Sequence, residues 1–350
     1  TMINHLRGID FCIVEASKAI LALQLNGGGP AHINLFTAYN PDFSVKELPP
    51  VRVIRRFTRN DILPKFPQVR RVAITVGAHH NFTEAEVVAI ERFCATHDAV
   101  VFTDHTSGYR GKYEVNYSLV CGQKNFKSSL IEVDLLIHIG EVSGDCYKIH
   151  PKGVVWRVSE DGALRDTFRK LTNVFMMPEE IFFNYYSNDG ENKISYLEAC
   201  QAEYQNILNQ MPEIPFGNIW MAKQMASKLP PSCELHMGIY NSLRSWNFFK
   251  LPEGIHSKCN VGGFGIDGGV SAMIGAALAN PEKLFVGVFG ELAFFYDMNV
   301  AANRHIGKNV RLMVVNNGRG TEFRNYDHPC YIFGEDADPY IAAAGHFGNK

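Results

Sequence analysis

Two apolar runs in the last third of the chain end in side chains that could do chemistry. Leu284 to Phe289 leads through Gly290 into Glu291, and Val310 to Val315 leads into Asn316 and Asn317. Short apolar runs of this kind read as buried strands of a parallel sheet. With a helix between them, both ends fall on the carboxyl edge of that sheet, where ligands bind in open α/β folds. A carboxylate and an amide oxygen converging there suit a hard, oxygen-seeking cation. Each has an ordinary explanation, because Asn-Gly signals a turn and an acid favours the first turn of a helix. Their pairing on neighbouring strand ends is what makes a site the better reading.

A second feature competes for the same region. Gly263, Gly265 and Gly268 satisfy G-x-G-x-x-G ahead of a small-residue helix, and Glu291 lies near the end of the next strand. That spacing fits a dinucleotide fingerprint and an NAD-binding oxidoreductase. Against it stand the charge of Asp267 inside the turn, the short polar strand "HSKCNV" before it, and two asparagines left without a task.

The elements that must carry these residues follow from pattern. "RRVAITVGA", "AVVFTDH", "DLLIHIGE" and "GVVWRVSE" read as parallel-sheet strands. "TEAEVVAIERFCATH" reads as a helix, with Thr83 and Glu86 as its capping box. Upstream, Glu15 to Leu25 reads as an amphipathic helix stopped by "NGGG", followed by a strand "AHINL" and a proline-punctuated linker. "SNDGEN" reads as a second linker, a helix is expected from near Ile214, and "CELHMG" as a strand running into a polar turn. The expected fold class is α/β, with two doubly wound, mostly parallel sheet domains at 50–187 and 192–350. Both ends read as cut, and residues 1–40 read as the tail of a further domain plus linker.

Bulk composition excludes several classes. A formal net charge of -2 over 350 residues provides no polybasic surface for nucleic acid. No apolar run approaches the roughly 18 residues of a membrane span. The eight cysteines are scattered without a CxxC pair, as expected of thiols in a reducing cytoplasm.

With these residues in place, the chain resembles the thiamine-diphosphate-dependent enzymes. Gly290-Glu291 followed by Asn316-Asn317 is similar to that superfamily's Gly-Asp opening and Asn-Asn close. Within it, "GIDGGVSAMIGAA", "GELAFFYDMN" and the "NSL" at 241–243 are most similar to the SEPHCHC synthase group of menaquinone biosynthesis. "HIGEVSG" resembles the superfamily's middle domain, and "NGGGPAHINL" the tail of its pyrimidine-binding domain.

The resemblance implies thiamine diphosphate and Mg²⁺ as cofactors. The metal would be held by the Glu291 carboxylate, the Asn317 side chain and the Arg319 backbone carbonyl. Ile266 would support the thiazolium ring, backbone around Gly265, Gly290 and Leu292 would flank ring and diphosphate, and Ser242 would line the pocket. It further implies decarboxylation of a 2-oxo acid with carboligation to an acceptor, in a homodimer or homotetramer. Two departures bear on this. Glu291 stands where the family has Asp, and Trp246 and Val261 stand where its arginines bind 2-oxoglutarate, so a different donor is expected. The activating glutamate belongs to the pyrimidine-binding domain, so this stretch alone is expected to be inactive. A non-catalytic homologue that keeps the fold is the alternative, beside the NAD-binding oxidoreductase.

Overall fold

The computed structural model describes residues 6–318, apart from 36–38, 40, 42–43, 45, 48–49, 145–148, 189–192 and 263–264. Two parallel sheets carry the fold. The first has seven strands: β1 (Arg55–Thr58), β2 (Val72–Val76), β3 (Val100–Thr103), β4 (Glu114–Asn116), β5 (Leu135–Ile139), β6 (Val154–Val158) and β7 (Leu171–Met176). Their spatial order is β1-β7-β6-β5-β2-β3-β4. The second has four: β8 (Glu234–Met237), β9 (His256–Cys259), β10 (Phe285–Gly290) and β11 (Val310–Val315), in the order β11-β10-β8-β9. Every strand pair in both is parallel.

These orders place the switch points. In the first sheet the chain steps outward from β2 to β4, then returns to β5 on the other side of β2. In the second it goes from β8 to β9 and returns to β10 on the other side of β8. The rule for open α/β sheets puts a ligand crevice at each reversal, beyond the carboxyl ends of β2 and β5 and of β8 and β10.

Burial explains why the apolar runs became strands. All five residues of β2 and of β5 are buried, as parallel strands covered on both faces must be. The first core includes Phe93, Phe102, Trp156, Phe175, Phe182 and Phe183. Phe175 and Phe182 meet edge to face with ring centres 4.8 Å apart. Each such ring contributes roughly 1.5–3 kcal/mol through removal of its surface from water. Helix α2 (Glu84–His97) starts at the expected capping box: Thr83 Oγ1 accepts from the Glu86 N–H, and the Glu86 carboxylate accepts from the Thr83 N–H. In the second sheet, one apolar cluster holds Leu235, Met237, Trp246 and Val288, and another holds Met273, Ile274 and Phe289.

Several expectations are corrected. Helix α1 spans Leu6–Ala22, starting earlier than the amphipathic pattern indicated. "AHINL" forms no strand; Ile33 and Leu35 are 56% and 68% exposed, with no neighbouring strand to pair with among the described residues. After α3 (Ser118–Cys121) and α4 (Glu179–Tyr185), a full helix, α5 (Ser195–Asn209), occupies the stretch left blank before Ile214. The helix expected from Ile214 begins at Asn218 as α6 (Asn218–Met225). β1 and β7 add strands that the pattern did not single out. Residues 189–192 of the second linker lie outside the described residues.

Candidate functional site

Four strand ends converge on the carboxyl edge of the second sheet. β8 runs through Gly238 into a short helix, α7 (Asn241–Trp246). The Gly238 N–H donates to Val288 O at 2.8 Å, so β8 and β10 stay paired up to the crevice. A Cβ on Gly238 would lie 3.5 Å from the Phe289 Cα and 3.7 Å from the Ser242 Oγ. Ser242, on the first turn of α7, is buried beside that junction.

β10 ends at Gly290, which precedes helix α9 (Glu291–Tyr296) with φ -68° and ψ 157°. Gly290 registers with Val315 on β11, so the chain leaves the two strands at one level, into Glu291 on one side and Asn316 and Asn317 on the other. Glu291 is only 4% exposed, while both asparagines lie at the surface. Leu292 is half-buried. From the β9 side, Gly265 and Ile266 follow the strand end. Ile266 packs against both apolar clusters of the second sheet, which places it over the sheet edge between them. The sequence-identified residues Ser242, Gly265, Ile266, Gly290, Glu291, Leu292 and Asn317 therefore share one edge. Arg319 lies outside the described residues, as does Gly263 of the glycine turn.

The donor set suits the inferred metal in kind. A buried carboxylate, Glu291, near the amide of Asn317 offers the oxygen ligands that Mg²⁺ takes, with the rest of its octahedron left to phosphate and water. Among the described residues, no three His, Cys, Asp or Glu side chains gather as a self-sufficient metal site.

The glycine turn is already served by the chain. Helix α8 (Gly269–Ala279) follows Gly268, whose φ of 77° requires the left-handed region. The Ser271 N–H, in its first turn, donates to the Asp297 carboxylate at 3.0 Å. A carboxylate there takes the place and the favourable field that a pyrophosphate would need. Asp267 is exposed, and its carbonyl accepts from Asn260 Nδ2 at 3.0 Å.

Besides that Asp297 contact, two further features were not legible in the sequence. Tyr240, at the crevice, has φ 68° and ψ -117°. A bulky side chain there carries about 1–3 kcal/mol of backbone strain, a cost found at sites that use the geometry. Only its position just after a strand end could have drawn attention to it. The other is His105, two residues past β3, whose ring and backbone reach α7 from the first sheet.

Trp246 and Val261, at 1% and 4% exposure, belong to the apolar cluster under α7. Arg244 lies half-buried with its guanidinium carbon 5.4 Å from the centre of the Tyr240 ring. Burial lowers the pKa of His236 on β8 and of Lys258 on β9.

Comparison with known proteins finds likeness over most of the chain. The 2-succinyl-5-enolpyruvyl-6-hydroxy-3-cyclohexene-1-carboxylate (SEPHCHC) synthase of Bacteroides fragilis is 27% identical over 340 residues, covering 89% of this chain. That of Bacteroides thetaiotaomicron is 29% identical over 339 residues, again 89% of the chain. The chain is similar to the SEPHCHC synthases. The Phocaeicola vulgatus SEPHCHC synthase, at 26% over 333 residues, repeats the match. The chain spans 59% of the length of the two Bacteroides SEPHCHC synthases. No protein-family model matches it. No described helix is long and apolar enough to cross a membrane.

Proposed function

We propose that the whole protein is a thiamine-diphosphate- and Mg²⁺-dependent enzyme that decarboxylates a 2-oxo acid and passes the product to an acceptor. The observation that supports this reading most is the buried Glu291 at the switch point of the second sheet, level with Asn316 and Asn317. Glu291, Asn317 and the Arg319 carbonyl would hold Mg²⁺. Backbone at Gly265, Gly290 and Leu292 would flank ring and diphosphate, and Ser242 would line the pocket. Ile266 would press the cofactor into its reactive shape. When bound, thiamine diphosphate supplies the electron sink for decarboxylation, and the protein orients the donor and excludes water.

On this reading, residues 50–187 act as the middle domain and 192–350 as the diphosphate-binding domain. The pyrimidine-binding half, with its activating carboxylate, comes from elsewhere in a homo-oligomeric protein, so these residues are inactive alone. The non-catalytic alternative draws on Glu291 in place of Asp, and turnover of any 2-oxo acid would dismiss it.

The donor is proposed to differ from 2-oxoglutarate, because the resemblance aligns Trp246 and Val261 with the arginines that bind it, and both are buried and apolar. An unpaired buried carboxylate costs at least a few kcal/mol, equivalent to about a hundredfold in specificity. Initial rates of the full-length protein with Mg²⁺ and thiamine diphosphate, on pyruvate and 2-oxoglutarate at equal concentration, test this. Pyruvate is expected to react faster. A higher rate on 2-oxoglutarate would overturn the donor assignment and point to SEPHCHC synthase activity itself.

A further inference from the structure

His105 reaches across from the first sheet to the end of α7. Its Nε2 lies 2.9 Å from Trp246 O and 3.0 Å from Phe249 O, and its backbone N–H donates to Asn247 Oδ1 at 3.0 Å. Its carbonyl accepts from the Ser257 hydroxyl on β9. The partners lie 141 to 152 positions away in sequence. His105 is 4% exposed, Trp246 1%, Asn247 0% and Ser257 3%, so water is not a ready substitute for any of these bonds.

The helix so held is six residues long and has no side-chain cap from its own N-cap residue. A helix this short has little stability of its own. It enters through the strained Tyr240 backbone, and such a conformation persists only where the surroundings hold it. The imidazole holds its C-terminal end: it reaches the carbonyl of the last helical residue, Trp246, which also accepts from the Phe249 N–H, and the Phe249 carbonyl three residues further on. Strain thus enters at one end of α7 and the other end is fixed to the first sheet, with Ser242 between them.

We propose that His105 is a positioning residue that holds α7, and with it Ser242, in place for the cofactor. This coupling of the first sheet to the crevice of the second rests, for the cofactor, on the function proposed above. The bond required is one imidazole N–H to two carbonyls, which a glutamine amide can supply and an asparagine, one methylene shorter, cannot reach.

The experiment compares His105→Gln and His105→Asn in the full-length protein by amide hydrogen exchange and by thiamine diphosphate titration with Mg²⁺. In the cofactor-free protein, His105→Asn is expected to speed exchange across residues 241–249 by roughly tenfold or more, while exchange in β10 stays at the wild-type rate. His105→Gln should restore protection there and cofactor affinity with it. Lys258→Met removes a different contact between the sheets, to Asn81 at 3.3 Å, and should leave α7 unchanged. If His105→Asn fails to fold, His105→Met, which fills the space without a donor, takes its place.

Wild-type exchange across 241–249 in the donor-lacking variant would overturn the proposal. So would equal loss of protection in α7 and β10, or cofactor affinity unchanged while α7 loosens. Failure of the wild-type protein to bind the cofactor would instead sink the proposed function, with the exchange data still deciding whether His105 holds α7.

Discussion

Both sheets are parallel and reverse their strand order at a switch point, and they treat those switch points in opposite ways. In the first, the loops after β2 and β5 are bonded across the reversal. The Ala78 N–H donates to Glu141 O at 3.0 Å and the Glu141 N–H to Ala78 O at 2.8 Å. A Cβ on Gly77 would stand 1.7 Å from the Glu141 carbonyl oxygen, so the close approach depends on glycine. The cavity of about 360 Å³ beside this bridge is lined by groups that pair with one another. His79 lies 3.1 Å from Glu179, His80 3.6 Å from Glu86 and Arg157 3.6 Å from Glu141.

The second switch point is open. A Cβ on Gly290 would meet nothing within 4 Å. Helix capping differs in the same sense: α2 is closed by its own capping box, whereas α7 and α9 begin without a side-chain cap from their N-cap residues. Topology alone therefore provides a place for a ligand, and the loop residues decide whether the chain fills it.

Paired glycine substitutions would break this comparison if it is wrong. Gly77→Ala drives a methyl into backbone and is expected to cost roughly 3 kcal/mol or more in denaturant unfolding. Gly290→Ala, at a φ that any residue adopts, is expected within about 0.5 kcal/mol of wild type, while placing a methyl in the open crevice and weakening the cofactor. Equal effects of the two on stability would remove the distinction between a bridged and an open crevice.

A smaller effect, depending on pH, belongs to the first sheet's core. His138 on β5 is fully buried, and burial, with Arg157 and Arg165 nearby, depresses its pKa from 6.5 to about 3. The unfolded chain takes up that proton below about 6.5 and the folded chain does not, so this contribution is complete above 6.5 and is lost as pH falls toward 3. The slope is up to about 1.4 kcal/mol per pH unit. His138→Leu, which has no titrating group, should flatten that limb in urea midpoints measured from pH 7 to 5. An unchanged slope would show that His138 is not its source. The smallest expected effect is at α2, where Thr83→Ala should cost about 1 kcal/mol by loss of the cap and leave cofactor affinity untouched.

How much could be read beforehand depended on where the information lies. β2, β3, β5, β6 and β10 are buried runs and declared themselves. β1 is an edge strand with mixed exposure, and β7 interrupts its apolar residues with Thr172 and Asn173, so neither shows a clean period. α5 places Tyr196, Leu197, Cys200 and Tyr204 on one buried face, but it starts at Ile194 without a side-chain cap to mark it. "AHINL" has strand-like residues and no strand beside it, and pairing is not a local property.

At the candidate site, the carboxylate and the asparagines were legible because strand ends fix their height. The strain at Tyr240, the Asp297 carboxylate on α8 and the His105 bonds to α7 were not. Each depends on chain segments brought together only by the fold.

The most direct test is a crystal of the full-length protein grown with Mg²⁺ and thiamine diphosphate. Diphosphate and metal density is expected at the strand ends after Phe289 and Val315, with the Glu291 carboxylate and Asn317 side chain on the metal. Density over residues 263–268 in crystals given NAD, with the Glu291 side empty of cofactor, would contradict it.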